Sequence, residues 1–121
     1  MKKFLLGAFL LSITLIACKK DNGAAFEGSY KGTYIDGGVS LSNVVITITD
    51  KGDNDLALAI DLGVVTSNLT ATADSETQFT VASQSLQGTT VSGIGALIGT
   101  TLNMSLTSQG GSSINFTGEK Q

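Results

Sequence analysis

From Phe26 to the end of the chain, apolar and polar side chains alternate with a period of two, and turn-forming residues interrupt the alternation about every dozen positions. Successive side chains of a strand point to opposite faces, so each run has one face to bury and one to leave in water. A helix would spread the same residues around its whole circumference. In the opening run Phe26, Gly28, Tyr30, Gly32 and Tyr34 fall on one face, and Glu27, Ser29, Lys31 and Thr33 on the other. Val44, Ile46 and Ile48 follow the Asp36-Gly37-Gly38 break, and Leu56, Leu58 and Ile60 follow the acidic turn Asp50-Lys51-Gly52-Asp53-Asn54. Later runs carry Leu69, Ala71 and Ala73; Phe79 and Val81; Val91, Gly93, Gly95 and Leu97; Leu102, Met104 and Leu106; and Ile114, Phe116 and Gly118. Eight strands are expected, near residues 28–35, 43–49, 56–61, 68–73, 77–82, 89–97, 101–107 and 113–119.

Eight short consecutive strands joined by tight turns predict an all-β domain over residues 26–121, an antiparallel up-and-down barrel whose closure removes the exposed sheet edges. Periodicity does not say which strands pair, so a Greek-key β-sandwich is the alternative. Composition suits both: the 121 residues include 15 Gly and no Pro, and Ser and Thr supply most of the polar surface.

Residues 1–17 follow another plan. Met1-Lys2-Lys3 is basic, Phe4 to Ile16 is an apolar run interrupted by Gly7, Ser12 and Thr14, and Ala17 is small, the layout of an export leader. The run is 13 residues long, short of the roughly 20 that span a bilayer. Cys18 comes next. Leu15-Ile16-Ala17-Cys18 resembles the lipobox of bacterial lipoproteins. The resemblance implies cleavage before Cys18, a diacylglyceryl group on its sulfur and a further acyl chain, such as palmitate, on its new amine. Several chains give stable membrane anchoring where one gives little. Residues 18–25, Cys18 with Lys19-Lys20-Asp21-Asn22-Gly23-Ala24-Ala25, read as the lipidated cysteine and a flexible tether. The charged start of that tether is similar to the sorting region of surface lipoproteins from Bacteroidota-type Gram-negative bacteria, which implies the outer membrane.

The body resembles the small lipocalin-like, or calycin-like, barrels found among such lipoproteins. The residues that carry the likeness are Gly28-Ser29-Tyr30-Lys31-Gly32-Thr33-Tyr34, Val45-Ile46-Thr47-Ile48, Gly93-Ile94-Gly95-Ala96-Leu97, Leu102-Asn103-Met104-Ser105-Leu106 and Phe116-Thr117-Gly118. Tyr30 stands where a lipocalin usually has Trp. The likeness implies a small apolar ligand in the barrel or at its mouth, with Tyr30, Tyr34, Ile46, Leu58, Phe79, Leu97, Met104 and Phe116 as the candidate lining.

The residues themselves exclude much chemistry. Without His, Arg or a second Cys, neither Ser-His and Cys-His nucleophiles nor the usual zinc sets can be assembled. Asp50, Asp53, Asp55, Asp61, Asp74 and Glu76 fall mainly in predicted turns, where solvated acids are ordinary, and Asp50, Asp53, Asn54 and Asp55 lack the ligand spacing of an EF-hand. Gly93-Ile94-Gly95-Ala96-Leu97-Ile98-Gly99 has no Lys and Ser/Thr to make a phosphate loop. Once Lys2 and Lys3 leave with the leader, five lysines face ten acids, a net charge of −5 that does not suit nucleic acid. The expectation is therefore a non-enzymatic envelope lipoprotein with no cofactor and no metal, held to the membrane through Cys18. Its barrel binds a small apolar molecule; alternatively its loops contact an envelope protein or inhibit an enzyme, with a filled barrel as scaffold. Inner-face glycines at 28, 32, 93, 95 and 118 are expected to leave volume for a ligand.

Overall fold

Every alternating run is a strand in the computed structural model, which describes residues 21–121; the leader, Cys18 and the start of the tether lie outside the described residues. β1 (Gly28–Asp36), β2 (Val39–Gly52), β3 (Asp55–Asp61), β4 (Thr66–Ala73), β5 (Gln78–Leu86), β6 (Thr89–Ile98), β7 (Thr101–Ser108) and β8 (Ser113–Lys120) pair in sequence order. All pairs are antiparallel, and β1 joins β8 from Tyr30↔Lys120 to Asp36↔Ile114, closing the barrel. Sequential order replaces the Greek-key alternative with an up-and-down barrel. Three hairpins have two-residue tips, Gly37-Gly38, Asp53-Asn54 and Gln87-Gly88, whose six residues all have positive φ, as the hairpin-forming type I′ turn demands.

Two strands outrun the lengths expected from alternation. β2 begins at Val39 rather than near residue 43, and β5 runs to Leu86 rather than ending near residue 82. Each contains a bulge: Ser42 and Asn43 oppose Thr33, with Asn43 at φ 60°, and Ala82 and Ser83 oppose Ser92. An extra residue changes which parity faces inward, so beyond the bulge Leu86 points to the core although Val81 does too. Period-two reading stops at such a point because the phase has changed.

The interior is filled. Tyr30, Phe26, Phe79, Phe116, Ile46, Leu58 and Met104 are all buried, and Leu97 is half-buried against the same core. The glycines do not leave the expected volume. A Cβ on Gly95 would enter the Phe79 ring and one on Gly118 the Phe116 ring, so each ring lies on a glycine. At Gly32 and Gly93 the added atom would meet the carbonyl oxygens of Thr117 and Ser105, where neighbouring strands approach closely at a bend of the wall.

One seam differs from the others. β4 and β5 share only Thr72↔Thr80 and Ala73↔Phe79 before they diverge. Gln84 spans the gap: its Oε1 accepts from the Thr70 N–H at 2.8 Å and its Nε2 donates to the Thr70 carbonyl at 2.8 Å. A side-chain amide thus takes the place of a missing strand rung. Gln87 Nε2 bridges the same seam to Ser67 Oγ at 3.1 Å.

Two substitutions separate these contributions. Gly95→Ala forces a methyl into a packed ring and is expected to cost about 1–3 kcal/mol, read as a lower Tm in thermal melts. Gln84→Ala returns the Thr70 groups to water and is expected to cost only about 1 kcal/mol. Its diagnostic signature is faster hydrogen exchange of the Thr70 amide with β7 amides unchanged.

Candidate functional site

The two ends of the barrel are built differently. One is closed by the segment read as the end of the tether: Asn22–Phe26 is a 3-10 turn, and Phe26, assigned to the first strand by its parity, belongs to this turn. The turn forms because Asp21 caps it, Oδ1 accepting from the Gly23 N–H at 3.0 Å. It is fastened to the β2–β3 hairpin by Asn22 N–H donating to Asn54 Oδ1 at 2.7 Å and by Asn54 N–H donating to Asp21 Oδ1 at 3.3 Å. Phe26 then meets Phe79 edge to face, centroids 5.3 Å apart at 84°, and the buried Tyr30 hydroxyl donates to the Phe26 carbonyl at 2.7 Å. Sequence signals for this plug exist in Asp21 and the apolar Phe26, but a run of Gly and Ala between them reads as linker.

Asp21 and Asp50 come together at this end. A Cβ on Gly23 would lie 2.6 Å from one Asp50 oxygen and 3.2 Å from one Asp21 oxygen. The Asp50 carboxyl, the Gly23 N–H and the Asn54 N–H hold Asp21 below the ordinary aspartate value against slight desolvation. At Asp50 the Gly52 N–H acts downward, yet the hydrogen bond with Asp21, desolvation and the negative charges of Asp21 and Glu27 together push it above that value. The pair therefore keeps one proton longer than two separate acids would, on Asp50. Among the described residues, no group of three or more acids is arranged around a metal position. The acidic hairpin serves the plug instead.

The opposite end, made by the β1–β2, β3–β4, β5–β6 and β7–β8 hairpins, is open. A cavity of about 320 Å³ lies there between Tyr34 and Asp36 of β1, Leu86 and Gln87 of the β5–β6 hairpin, Ser108 of β7 and Ile114 of β8. Leu86 and Ile114 are buried beneath it. Tyr34 is 3% exposed, and its hydroxyl makes no hydrogen bond among the described residues. No fully buried side-chain oxygen or nitrogen of the described chain lacks a partner, so this hydroxyl faces the cavity. Burial pushes its pKa up, and the Asp36 charge beside it pushes the same way. Depressions of about 200 and 370 Å³ elsewhere lie on the outer wall over Ala96 and Ala57, where short side chains leave gaps.

Of the candidate lining, Tyr34 alone reaches this mouth. Tyr30, Ile46, Leu58, Phe79, Met104 and Phe116 form the packed interior, and Leu97 sits toward the closed end, its N–H donating to the Thr77 carbonyl at 2.8 Å. Asp36, Gln87 and Ser108 were not in that lining. Asp36 was detectable, since it shares the parity of Tyr30 and Tyr34; Gln87 was not, because the β5 bulge precedes it.

No protein-family model and no curated protein matches the sequence. Among solved structures the chain is similar to a redesigned beta barrel, with a TM-score of 0.68 and 14% identity over 83% of this chain and 95% of that one. The likeness is one of fold. It shows the same closed barrel carried by a very different sequence.

The Asp21–Asp50 pair gives a pH dependence with a definite sign. Asp21, with its pKa lowered by folding, contributes stability that is present at neutral pH and lost as pH falls through its folded value. Asp50, with its pKa raised, does the reverse: it costs stability once pH rises past the ordinary aspartate value. Asp50→Asn keeps an acceptor for Gly52 N–H and gains a donor to Asp21. Its Tm is expected above that of the parent at pH 7, the difference shrinking as pH falls through the raised pKa of Asp50 toward the ordinary aspartate value, where the protonated Asp50 donates to Asp21 as Asn would.

Proposed function

We propose that the chain is a lipid-anchored lipoprotein of the bacterial envelope whose barrel is a non-catalytic binding module, taking a small ligand with an apolar body at its open mouth. Anchoring rests on the Leu15-Ile16-Ala17-Cys18 resemblance, and on no described residue. The observation that carries the binding reading is the 97%-buried Tyr34, whose hydroxyl has no partner in the chain and faces a 320 Å³ cavity floored by Leu86 and Ile114. The ring is buried while its hydroxyl keeps access to the cavity and is left to bond whatever enters there, and a cavity of this size is at the small end of ligand sites. Dense packing around Phe79 and Phe116 favours the mouth over the middle of the barrel.

A second reading has its own support. Val39, Val64 and Val65 are 63%, 97% and 46% exposed on the β1–β2 and β3–β4 hairpins of the same end. Neighbouring apolar tips suit contact with another envelope protein, the barrel serving as scaffold.

Both parts are open to one set of experiments on the full chain expressed in a Gram-negative host. Wild type is expected to take up labelled palmitate and to sediment with outer membranes, and Cys18→Ala to lose both; membrane retention of the unlabelled variant would refute the anchor. A panel of small apolar molecules is expected to raise the Tm of the purified lipoprotein and to persist in native mass spectra. No ligand retained, together with capture of an envelope protein that Val64→Ser abolishes, would favour the second reading.

A further inference from the structure

We infer that the mouth selects a primary amine: a ligand whose ammonium head is held by Asp36 and Tyr34 and whose short apolar body rests on Leu86 and Ile114. This inference rests on the binding reading above and sharpens it. Its basis is a negative charge at the cavity that no cation of the surrounding hairpins balances.

Acceptors dominate. Asp36 offers a carboxylate in no ion pair among the described residues, and it is close enough to Tyr34 for its charge to raise the tyrosine pKa. Gln87 is held by one N–H of its Nε2 on Ser67 Oγ, and its Oε1 makes no hydrogen bond among the described residues. Tyr34 offers both lone pairs of an unpartnered hydroxyl. Ser108 Oγ already accepts from the Ser112 N–H at 3.1 Å, and it is 9% exposed.

Cations are missing. The four hairpins of this end, 36–39, 61–66, 86–89 and 108–113, contain two aspartates and no lysine. Asp61 accepts from the Gly63 N–H at 2.9 Å in its own loop, so Asp36 is the acid turned to the cavity. Lys51 and Lys120 lie at the closed end, and Lys31 pairs across β1–β8 with Glu119 in the half nearer that end.

A carboxylate ligand would meet Asp36 with no compensating charge, and a neutral apolar ligand would leave the tyrosine hydroxyl and the carboxylate facing it. An ammonium brings three donors and a positive charge to a carboxylate, a phenol oxygen and an amide oxygen. The small floor limits the body to a few carbons. Nothing in this arrangement forms or breaks a covalent bond.

The test compares three probes of equal length, butylammonium, butan-1-ol and butanoate, titrated into the full lipoprotein in detergent micelles, with empty micelles as blank. Methyl NMR signals of Leu86 and Ile114 report occupancy. Butylammonium is expected to bind at least about tenfold tighter than the alcohol, as a charge-assisted hydrogen bond to a carboxylate implies, and butanoate not at all. Asp36→Asn should erase the preference for the amine, Tyr34→Phe should weaken amine binding severalfold without erasing it, and added salt should weaken amine binding alone. If the alcohol binds as well as the amine, or the preference survives in Asp36→Asn, the amine assignment is wrong while the mouth remains a binding site. If no probe moves the two methyl signals, both the assignment and the binding reading fail.

Discussion

The pairing of β1 with β8 is the contact on which the rest of this protein depends. It joins strands at opposite ends of the domain, Tyr30 with Lys120 and Asp36 with Ile114, so its loop-closure cost falls late and on the whole chain at once. What offsets that cost is a cooperative set of gains. Closure removes two open edges, brings Tyr34 beside Phe116, and seals an apolar interior that no smaller group of strands could enclose. The close approach also dictates sequence. Gly32 has no space for a Cβ because the Thr117 carbonyl lies against it, so the seam requires glycine although its φ does not.

Closure alone would give a tube with two equivalent openings. Asymmetry comes from the 3-10 turn, which places Phe26 against Phe79 and ties Asn22 and Asp21 to Asn54. Charges follow the same division. The acids Asp21, Glu27, Asp50, Asp53, Asp55 and Glu119 and the lysines Lys51 and Lys120 gather around the closed end, while the hairpins of the mouth carry no charge apart from Asp36 and Asp61.

The filled interior explains why the glycines misled a reading by composition. A glycine on an inner face is a hole only if no neighbour leans over it. Here aromatic rings two positions along, as Phe116 over Gly118, or across the sheet, as Phe79 over Gly95, take that space. The large-over-small arrangement gives density to a narrow barrel, and a cavity opens where the rings stop, beyond Tyr34. The β4–β5 seam is the weak line in that wall, because Gln84 and Gln87 supply by side chain what backbone pairing supplies elsewhere.

The sequence by itself determined that this is an all-β domain of eight strands, which residues of each strand face inward up to the bulges, and that no His, Arg or paired Cys chemistry is available; strand order, and with it barrel rather than sandwich, came from the structure. Alternation reports these things because side-chain direction along a strand is a local property, set by two neighbouring peptide units. Tertiary structure alone decided where the phase slips, at Ser42-Asn43 and Ala82-Ser83, since a bulge depends on a partner strand that local pattern does not contain. It decided that Asn22–Phe26 closes one end rather than serving as linker, because Phe26 gains its burial from Phe79, more than 50 residues away. It also decided the candidate site. Tyr34 and Asp36 are legible as one face of one strand, but their meeting with Leu86, Gln87, Ser108 and Ile114 exists only once the barrel has closed.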